Sequence, residues 1–424
     1  MPPADFQRPG FLRDHDIPIW IIITGNVRSG REFRRIFEQA IALRELGLAD
    51  AIRFVTWRGE LEQAPGLAEA LTEAGISILT IQPPQPHPRV HPLFHGYVYH
   101  QRKSLHFALQ SLPERSFVLK ARTDFAEERF DSMVATLFGN PSCRLEAGIA
   151  LPALETRLFT YDARPDHFFY WDDIVFSGLR EDLFKLNNFD LACDFIQPGH
   201  VACAETRLFS PLFLELYPVL RWYFENLDGR LFAQLLQKWL AAPDPLPAPE
   251  ILTCILAAYF HILSRYLVLP ALDRGMNFPI SLRTFFTADP SLGIRDFSFP
   301  WSSHKLISQC LLDRLCSDEE FADPNLATVV SAMRRMDHDC SSRTAMPAPL
   351  ADQRAKLAEF ATRHGLDPFV SQTTPIPCAT EVSPCGAGFL DHVQLPEKRQ
   401  LTRWQQRKLG ARKKVSTWLL DRLL

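Results

Sequence analysis

The feature that most constrains the fold is a series of short apolar runs separated by helical patterns. Residues 17–24 are almost continuously apolar, and similar runs follow at residues 52–57, 76–81 and 117–121. Runs of this length without strict alternation are typical of strands that are covered on both faces. Between the first two, apolar residues repeat at helical spacing over residues 33–41. The sequence therefore predicts an α/β fold with a doubly wound, mostly parallel sheet.

The pattern changes after residue 130. Strands are predicted at residues 148–151 and 174–177, and residues 373–385 are predicted to be irregular. Helices are predicted at residues 67–74, 205–242, 251–269, 326–336 and 350–364. Residues 251–270 are hydrophobic enough to consider as a membrane span, but His261 and Arg265 favour a buried or amphipathic helix. We expect a sheet domain over residues 1–242, a mainly helical region over 250–396 and a separate tail over 397–424.

Charge and cysteine content narrow the function classes. Residues 398–424 contain nine Lys and Arg and one Asp, whereas the whole chain has a net charge of −3, so the body is acidic. This balance argues against a nucleic-acid partner. The nine cysteines include no Cys-x-x-Cys pair, which indicates reduced thiols rather than a zinc site or a disulfide framework. Because the first residues lack an apolar h-region, we expect no signal peptide and a cytoplasmic protein.

The basic tail is amphipathic as well as charged. A broad apolar sector of a helix contains Trp404, Ala411, Val415, Trp418 and Leu419, and it is interrupted by Lys408 and Arg422. Basic residues and Trp suit an anionic membrane surface. The tail therefore predicts peripheral attachment to the inner membrane face, and packing against the protein's own acidic body is the alternative.

Ligands of parallel α/β sheets bind beyond the carboxyl ends of the strands, so the residues there are candidates for a site. After the first, second and fourth runs these are Gly25, Asn26, Arg28, Thr56, Trp57, Arg122 and Asp124. The chain contains no Gly-x-Gly-x-x-Gly motif, no phosphate-binding Gly-x-x-x-x-Gly-Lys-Ser/Thr loop and no Gly-x-Ser-x-Gly elbow. These absences argue against a dehydrogenase, a P-loop NTPase and an α/β-hydrolase.

Six segments in order resemble the WavE-type lipopolysaccharide synthesis proteins, a family regarded as glycosyltransferases. The segment Lys120-Ala121-Arg122-Thr123-Asp124 is close to the family's Lys-x-Arg-Ser-Asp. The others are residues 23–28, 53–60, 100–109, 172–178 and 204–208. His100 stands where the family has Arg, and Ala108 where it has Gly. The resemblance spans residues 17–215 and implies a GT-A-like fold that transfers sugar from a nucleotide-sugar donor to a lipopolysaccharide, capsule or other surface-glycan acceptor.

Within such an enzyme we assign roles by residue type. Asp124 is the candidate ligand for Mn²⁺ or Mg²⁺ or for the ribose, and Arg122 is the alternative group for neutralising the departing diphosphate. Asp173 is expected to contact sugar hydroxyls, and Glu205 to act as general base. Candidate nucleotide-sugar-binding residues are Gly25, Asn26, Arg28, Thr56, Trp57, Gln101, Arg122 and Asp172.

Structural alternatives to these roles stay open at the sequence level. Arg122 and Asp124 can simply cap a strand, Trp57 can belong to the core, and Glu205 can complement a helix dipole. If Asp172 and Asp173 lie on a strand, they point to opposite faces and cannot form a dyad.

Two other function classes fit the same sheet. A sugar nucleotidyltransferase needs a glycine-rich loop after the first strand, and residues 25–30 contain only two glycines. A non-catalytic glycan- or nucleotide-binding protein would keep the fold without turnover.

Overall fold

The structure is a computed structural model of the 424-residue chain. It describes residues 6–28, 30–82, 96–124, 126–140, 143–146, 154–161, 163, 169, 171–186, 213, 217, 219–220, 223, 235–236, 250–270, 307–317, 320–341 and 382–386.

Eight strands of the described residues form one sheet in the order β7-β5-β6-β4-β1-β2-β3-β8. They are β1 Ile19–Thr24, β2 Ala51–Trp57, β3 Ile76–Ile81, β4 Phe117–Arg122, β5 Leu158–Thr160, β6 Val175–Leu179, β7 Leu267–Val268 and β8 Val382–Gly386. The pairs β1–β2, β1–β4, β2–β3 and β5–β7 are parallel. Only β6 and β8 run in the opposite direction. The predicted α/β fold with a mostly parallel sheet is therefore confirmed.

Nine α-helices accompany the sheet in the part of the chain that the structure describes. They are α1 Gly10–Asp14, α2 Arg31–Glu45, α3 Leu67–Glu73, α4 Gly96–Gln110, α5 Glu127–Phe138, α6 Arg180–Leu186, α7 Glu250–Tyr266, α8 Gln309–Leu315 and α9 Pro324–Ser341. A short 3₁₀ helix spans Leu61–Gln63.

The helices bury both faces of the sheet, as a doubly wound arrangement requires. On one face, Phe33 and Phe37 of α2 pack against Phe54 of β2 with ring centroids 6.1 Å and 5.3 Å away, and α3 and α5 join the same core. On the other face, α4, α6, α7, α8 and α9 build a second core. In sheets of this kind, ligands bind beyond the carboxyl ends of the strands.

Helix α7 is apolar on every side, and 14 of its 17 residues are buried. A helix that is hydrophobic all round belongs in a large core. The prediction of a buried helix is therefore confirmed up to Tyr266, whereas residues 267–268, expected to continue the helix, form strand β7. None of the helices in the described ranges has both the length and the apolar character needed to cross a membrane.

The polar residue His261 is accommodated in α7 by hydrogen bonds. Its Nδ1 lies 2.6 Å from the Tyr217 hydroxyl, and its Nε2 lies 3.0 Å from Asp337 of α9. Arg265 pairs with both oxygens of Asp337, and the pKa of that carboxyl falls to about 2 although burial alone would raise it, because His261 and Arg265 donate to it. This cluster fixes α9 against α7.

Some sequence expectations were wrong. Residues 382–386 form β8, although residues 373–385 were expected to be irregular. Strand β5 was not anticipated. Strands β7 and β8 join the main sheet from within the region expected to be mainly helical. The predicted strand at residues 148–151, the helix at 350–364, the tail at 397–424 and most of residues 205–242 lie outside the described residues.

Candidate functional site

Three chain segments meet at one edge of the sheet. Strands β1 and β4 are parallel neighbours, and Thr24 pairs with Arg122, so the loops that follow them are adjacent. Strand β6 is antiparallel to β4, and Val175 pairs with Ala121. The turn before β6 therefore lies where β4 ends, which brings residues 172–174 beside Arg122.

A continuous row of opposite charges occupies this edge, and we call Arg28, Asp124, Arg122 and Asp173 the arginine–carboxylate chain. A terminal nitrogen of Arg28 lies 3.2 Å from Asp124 Oδ2. Arg122 Nε lies 2.9 Å from Asp124 Oδ1, and its NH1 nitrogen lies 2.9 Å from Asp173 Oδ2. The structure thus unites four of the residues that were predicted separately from three segments.

Solvent exposure is lowest at the Asp173 end of the arginine–carboxylate chain and highest at its Arg28 end. The side chain of Asp173 is 4% exposed, Arg122 24% and Arg28 50%. Burial alone would lower the pKa of Arg122, but Asp173 and Asp124 together raise it above its ordinary value. Arg122 is therefore a permanent, fixed cation, whereas Arg28 is a cation that can change partners with little desolvation.

The loop after β1 is fixed by contacts with its neighbours. Gly25 has φ +132°, and a Cβ there would lie 2.5 Å from Thr123 Oγ1, so the close approach of the two loops requires glycine. The Glu60 carboxylate accepts from Asn26 Nδ2 at 3.0 Å and from the Val27 amide at 2.8 Å. Gly25 and Asn26 thus shape the loop that carries Arg28.

Glu60 was not among the predicted site residues. It lies just after β2, at the same edge of the sheet, and that position is the signal that could have identified it. The side chain acts on the site through the loop it holds.

Asp172 is fully buried and has structural partners. Its carboxylate pairs with Arg129 at 3.2 Å and accepts from the amides of Ile174 and Val175 at 3.2 Å and 3.4 Å. Its own amide donates to Thr160 Oγ1 at 3.0 Å. Asp172 and Asp173 lie in a turn before β6 and contact different arginines. Asp172 therefore fixes the turn from inside, and Asp173 is the member of the pair that belongs to the arginine–carboxylate chain.

Lys120 is a site residue that the sequence interpretation missed. It is buried in β4, two positions before Arg122. Its ammonium donates to the main-chain carbonyls of Asp173 and Ile174 and lies 4.7 Å from the Phe176 ring centroid. Burial lowers its pKa to about 7, although Asp173 acts in the opposite direction. The signal available in the sequence was a lysine inside an otherwise apolar strand.

Thr56 and Trp57 do not form a wall for a nucleobase. They are consecutive residues of a strand, so their side chains point to opposite faces of the sheet. Trp57 is part of the core beneath α4. Thr56 is 1% exposed, and its hydroxyl has no hydrogen-bond partner within the described ranges. Both side chains are buried at this edge.

Two further predicted site residues, Gln101 and Glu205, have no described contact with the arginine–carboxylate chain. Gln101 is half-buried in α4, where its main-chain carbonyl accepts from Ser104 Oγ at 2.9 Å. Glu205 lies outside the described residues.

Asp124 does not fit a divalent metal as it is arranged here. Both of its oxygens already face guanidinium groups, so a cation would lie beside two positive charges. Within the described ranges, His, Cys, Asp and Glu residues form no cluster of three that could hold a metal ion. Arg28 and Arg122 are the positive charges that lie beside Asp124.

A scan against models of known protein families finds no match to this chain, and a search of curated proteins finds no relative.

Proposed function

We propose that this protein is a glycosyltransferase with a GT-A-like domain. It would move a sugar from a nucleotide-sugar donor to a lipopolysaccharide, capsule or other surface-glycan acceptor. The arginine–carboxylate chain at the carboxyl edge of β1 and β4 carries this proposal. Ligands of α/β sheets bind at such an edge. The resemblance of residues 17–215 to WavE-type proteins is the second support, and the order of the mixed sheet is compatible with it.

The arrangement suits the stabilisation of a departing diphosphate. Arg122 is held from two sides by carboxylates, so it needs no reorganisation when negative charge develops beside it. Arg28 is half-exposed and exchanges Asp124 for a phosphate oxygen when the donor arrives. In this scheme Asp124 orients both arginines, Asp173 contacts sugar hydroxyls beside Arg122, and Glu205 is the general base.

The basic tail gives the enzyme a location. Residues 397–424 combine nine basic side chains with two Trp residues. Each basic residue near an anionic leaflet contributes about 1 kcal/mol. We propose that the tail holds the protein on the inner membrane face, where a lipid-linked acceptor can reach the site.

The test is a thermal-shift screen of the full chain against UDP-, GDP-, CMP- and dTDP-sugars. At least one donor is expected to raise the melting temperature equally in Mn²⁺ and in EDTA, because arginines rather than a metal meet the diphosphate. The Arg28→Ala variant is expected to bind that donor about tenfold more weakly, as for the loss of one charge-assisted hydrogen bond.

Arg13→Ala is the matched control. Arg13 is an exposed arginine in α1, before the amino end of β1. Its substitution removes the same charge at the end of β1 opposite to the site. Equal donor affinity in both variants would remove the diphosphate role from Arg28. Binding without release of free nucleotide, on any acceptor fraction, would leave a non-catalytic binding protein. No binding by any donor would refute the proposal.

A further inference from the structure

Lys120 lies directly behind the proposed diphosphate site. Residues two apart in a strand point to the same face, so Lys120 and Arg122 extend from the same side of β4. Lys120 is 3% exposed, and the Phe176 ring covers its ammonium. It therefore forms an inner layer of positive charge beneath the arginine–carboxylate chain.

The ammonium of Lys120 also holds in place the segment that carries Asp173, the most buried member of the arginine–carboxylate chain. Its two hydrogen-bond partners in the described ranges are the main-chain carbonyls of Asp173 and Ile174. These bonds join β4 to the turn that carries Asp173, whose side chain in turn binds Arg122. A change in the charge on Lys120 is thus transmitted to Arg122 through one residue.

Three carboxylates and one guanidinium act on the charge of Lys120. Asp173, Asp172 and Asp124 favour its protonated form, and Arg122 disfavours it. Burial is the largest influence and lowers the pKa of Lys120 from 10.5 to about 7. At neutral pH the lysine can consequently gain or lose its charge with a small change in conditions.

We propose that Lys120 is a positioning residue whose protonation sets the affinity of the Arg28–Arg122 end of the site for an oxyanion. This inference rests on the proposed diphosphate site and adds its regulation. Protonated Lys120 adds a positive charge behind Arg122 and strengthens anion binding. As the pH rises through the pKa of Lys120, that charge is lost and anion affinity falls.

The first measurement follows Lys120 itself and does not require any ligand. The full chain is labelled with ¹³C-lysine, and the Cε resonance that disappears in Lys120→Arg is assigned to Lys120. Its titration midpoint is expected at about pH 7. A midpoint above pH 9 would overturn the proposal.

The second measurement compares sulfate affinity at pH 6 and pH 9. Sulfate keeps its charge over this range, so any change belongs to the protein. Wild type is expected to bind sulfate on the order of tenfold more weakly at pH 9, the effect of one unit charge about 10 Å away near a protein surface. Lys120→Arg, which stays charged at both pH values, is expected to bind equally at both.

The outcomes separate this inference from the function on which it rests. If wild type and Lys120→Arg show the same pH dependence, Lys120 does not control the site and the inference fails alone. If wild type binds sulfate equally at both pH values, the inference also fails. If wild type binds no sulfate at either pH, the oxyanion site and the inference fail together. Lys120→Met removes the charge permanently. At both pH 6 and pH 9 it is expected to bind sulfate as weakly as wild type binds it at pH 9.

Discussion

Removing Arg122 is the most informative perturbation of the arginine–carboxylate chain. Arg122→Met keeps a long side chain but leaves the Asp173 carboxylate, only 4% exposed, without its guanidinium partner. Breaking a buried ion pair from one side is more destabilising than removing both charges, since the remaining charge stays buried and uncompensated. Arg122→Met is therefore expected to lower the free energy of unfolding, and substitution of Asp173 is expected to restore part of the loss.

The size of the effect follows from burial. One-sided loss of a buried pair typically destabilises by about 3–5 kcal/mol. Arg122 is 24% exposed, so we expect the lower end, about 3 kcal/mol. Asp173→Asn leaves Arg122 paired with Asp124 and is expected to lose about 1 kcal/mol. The double variant should be more stable than the sum of the two losses by about 2 kcal/mol, within the range for residues in contact.

Arg28→Met is the matched control, because it removes another arginine from the same row. Its side chain is 50% exposed, and pairs of this kind contribute at most about 1 kcal/mol. Urea unfolding followed by far-ultraviolet circular dichroism at pH 7 measures the stability of the four variants and of wild type. Equal stability of Arg122→Met and Arg28→Met, or simple additivity in the double variant, would refute this reasoning.

Three further predictions concern the loop, the base and the tail. Glu60→Gln keeps only one acceptor for the loop after β1, and the loss of the other is worth about 1 kcal/mol. Calorimetry with the donor found by the screen is therefore expected to show a several-fold higher dissociation constant. Unchanged affinity would show that the loop holds its shape without Glu60. Glu205→Gln is expected to bind donor normally and turn over about 10²- to 10⁴-fold more slowly, and wild-type nucleotide release would return Glu205 to a structural role. The full chain is expected to float with anionic liposomes at low salt while a chain ending at Glu397 does not, and equal flotation of the two would remove the membrane role from the tail.

The central strands and α7 could be predicted because their signals are local. Strands β1 to β4 are apolar runs, and their observed bounds lie within two residues of the predicted ones. β8 could not be predicted in this way, because Pro384 and Gly386 disfavour a strand and its pairing with β3 is remote in sequence. Tertiary pairing decided the conformation of residues 382–386 against their local preference.

The candidate site also combines residues that local sequence patterns could predict with a contact that depends on tertiary pairing. The rule that ligands bind after parallel strands was enough to select Arg28, Arg122 and Asp124. The partnership of Arg122 with Asp173 depends on the reversed direction of β6, which no local pattern encodes. The error at Thr56 and Trp57 was avoidable, because the period of two in a strand already separates their side chains.

Helix α7 has a consequence for biosynthesis. It is apolar on all sides, and its partner α9 follows about 60 residues later in the chain, which at roughly 5–20 residues per second takes about 3–12 seconds to synthesise. During that interval the finished α7 segment has no α9 to cover it and no Asp337 to pair with Arg265 and His261. A nascent chain at this stage presents a 17-residue apolar helix, which is a binding site for chaperones that recognise hydrophobic segments. The yield of folded protein should therefore depend on chaperone supply.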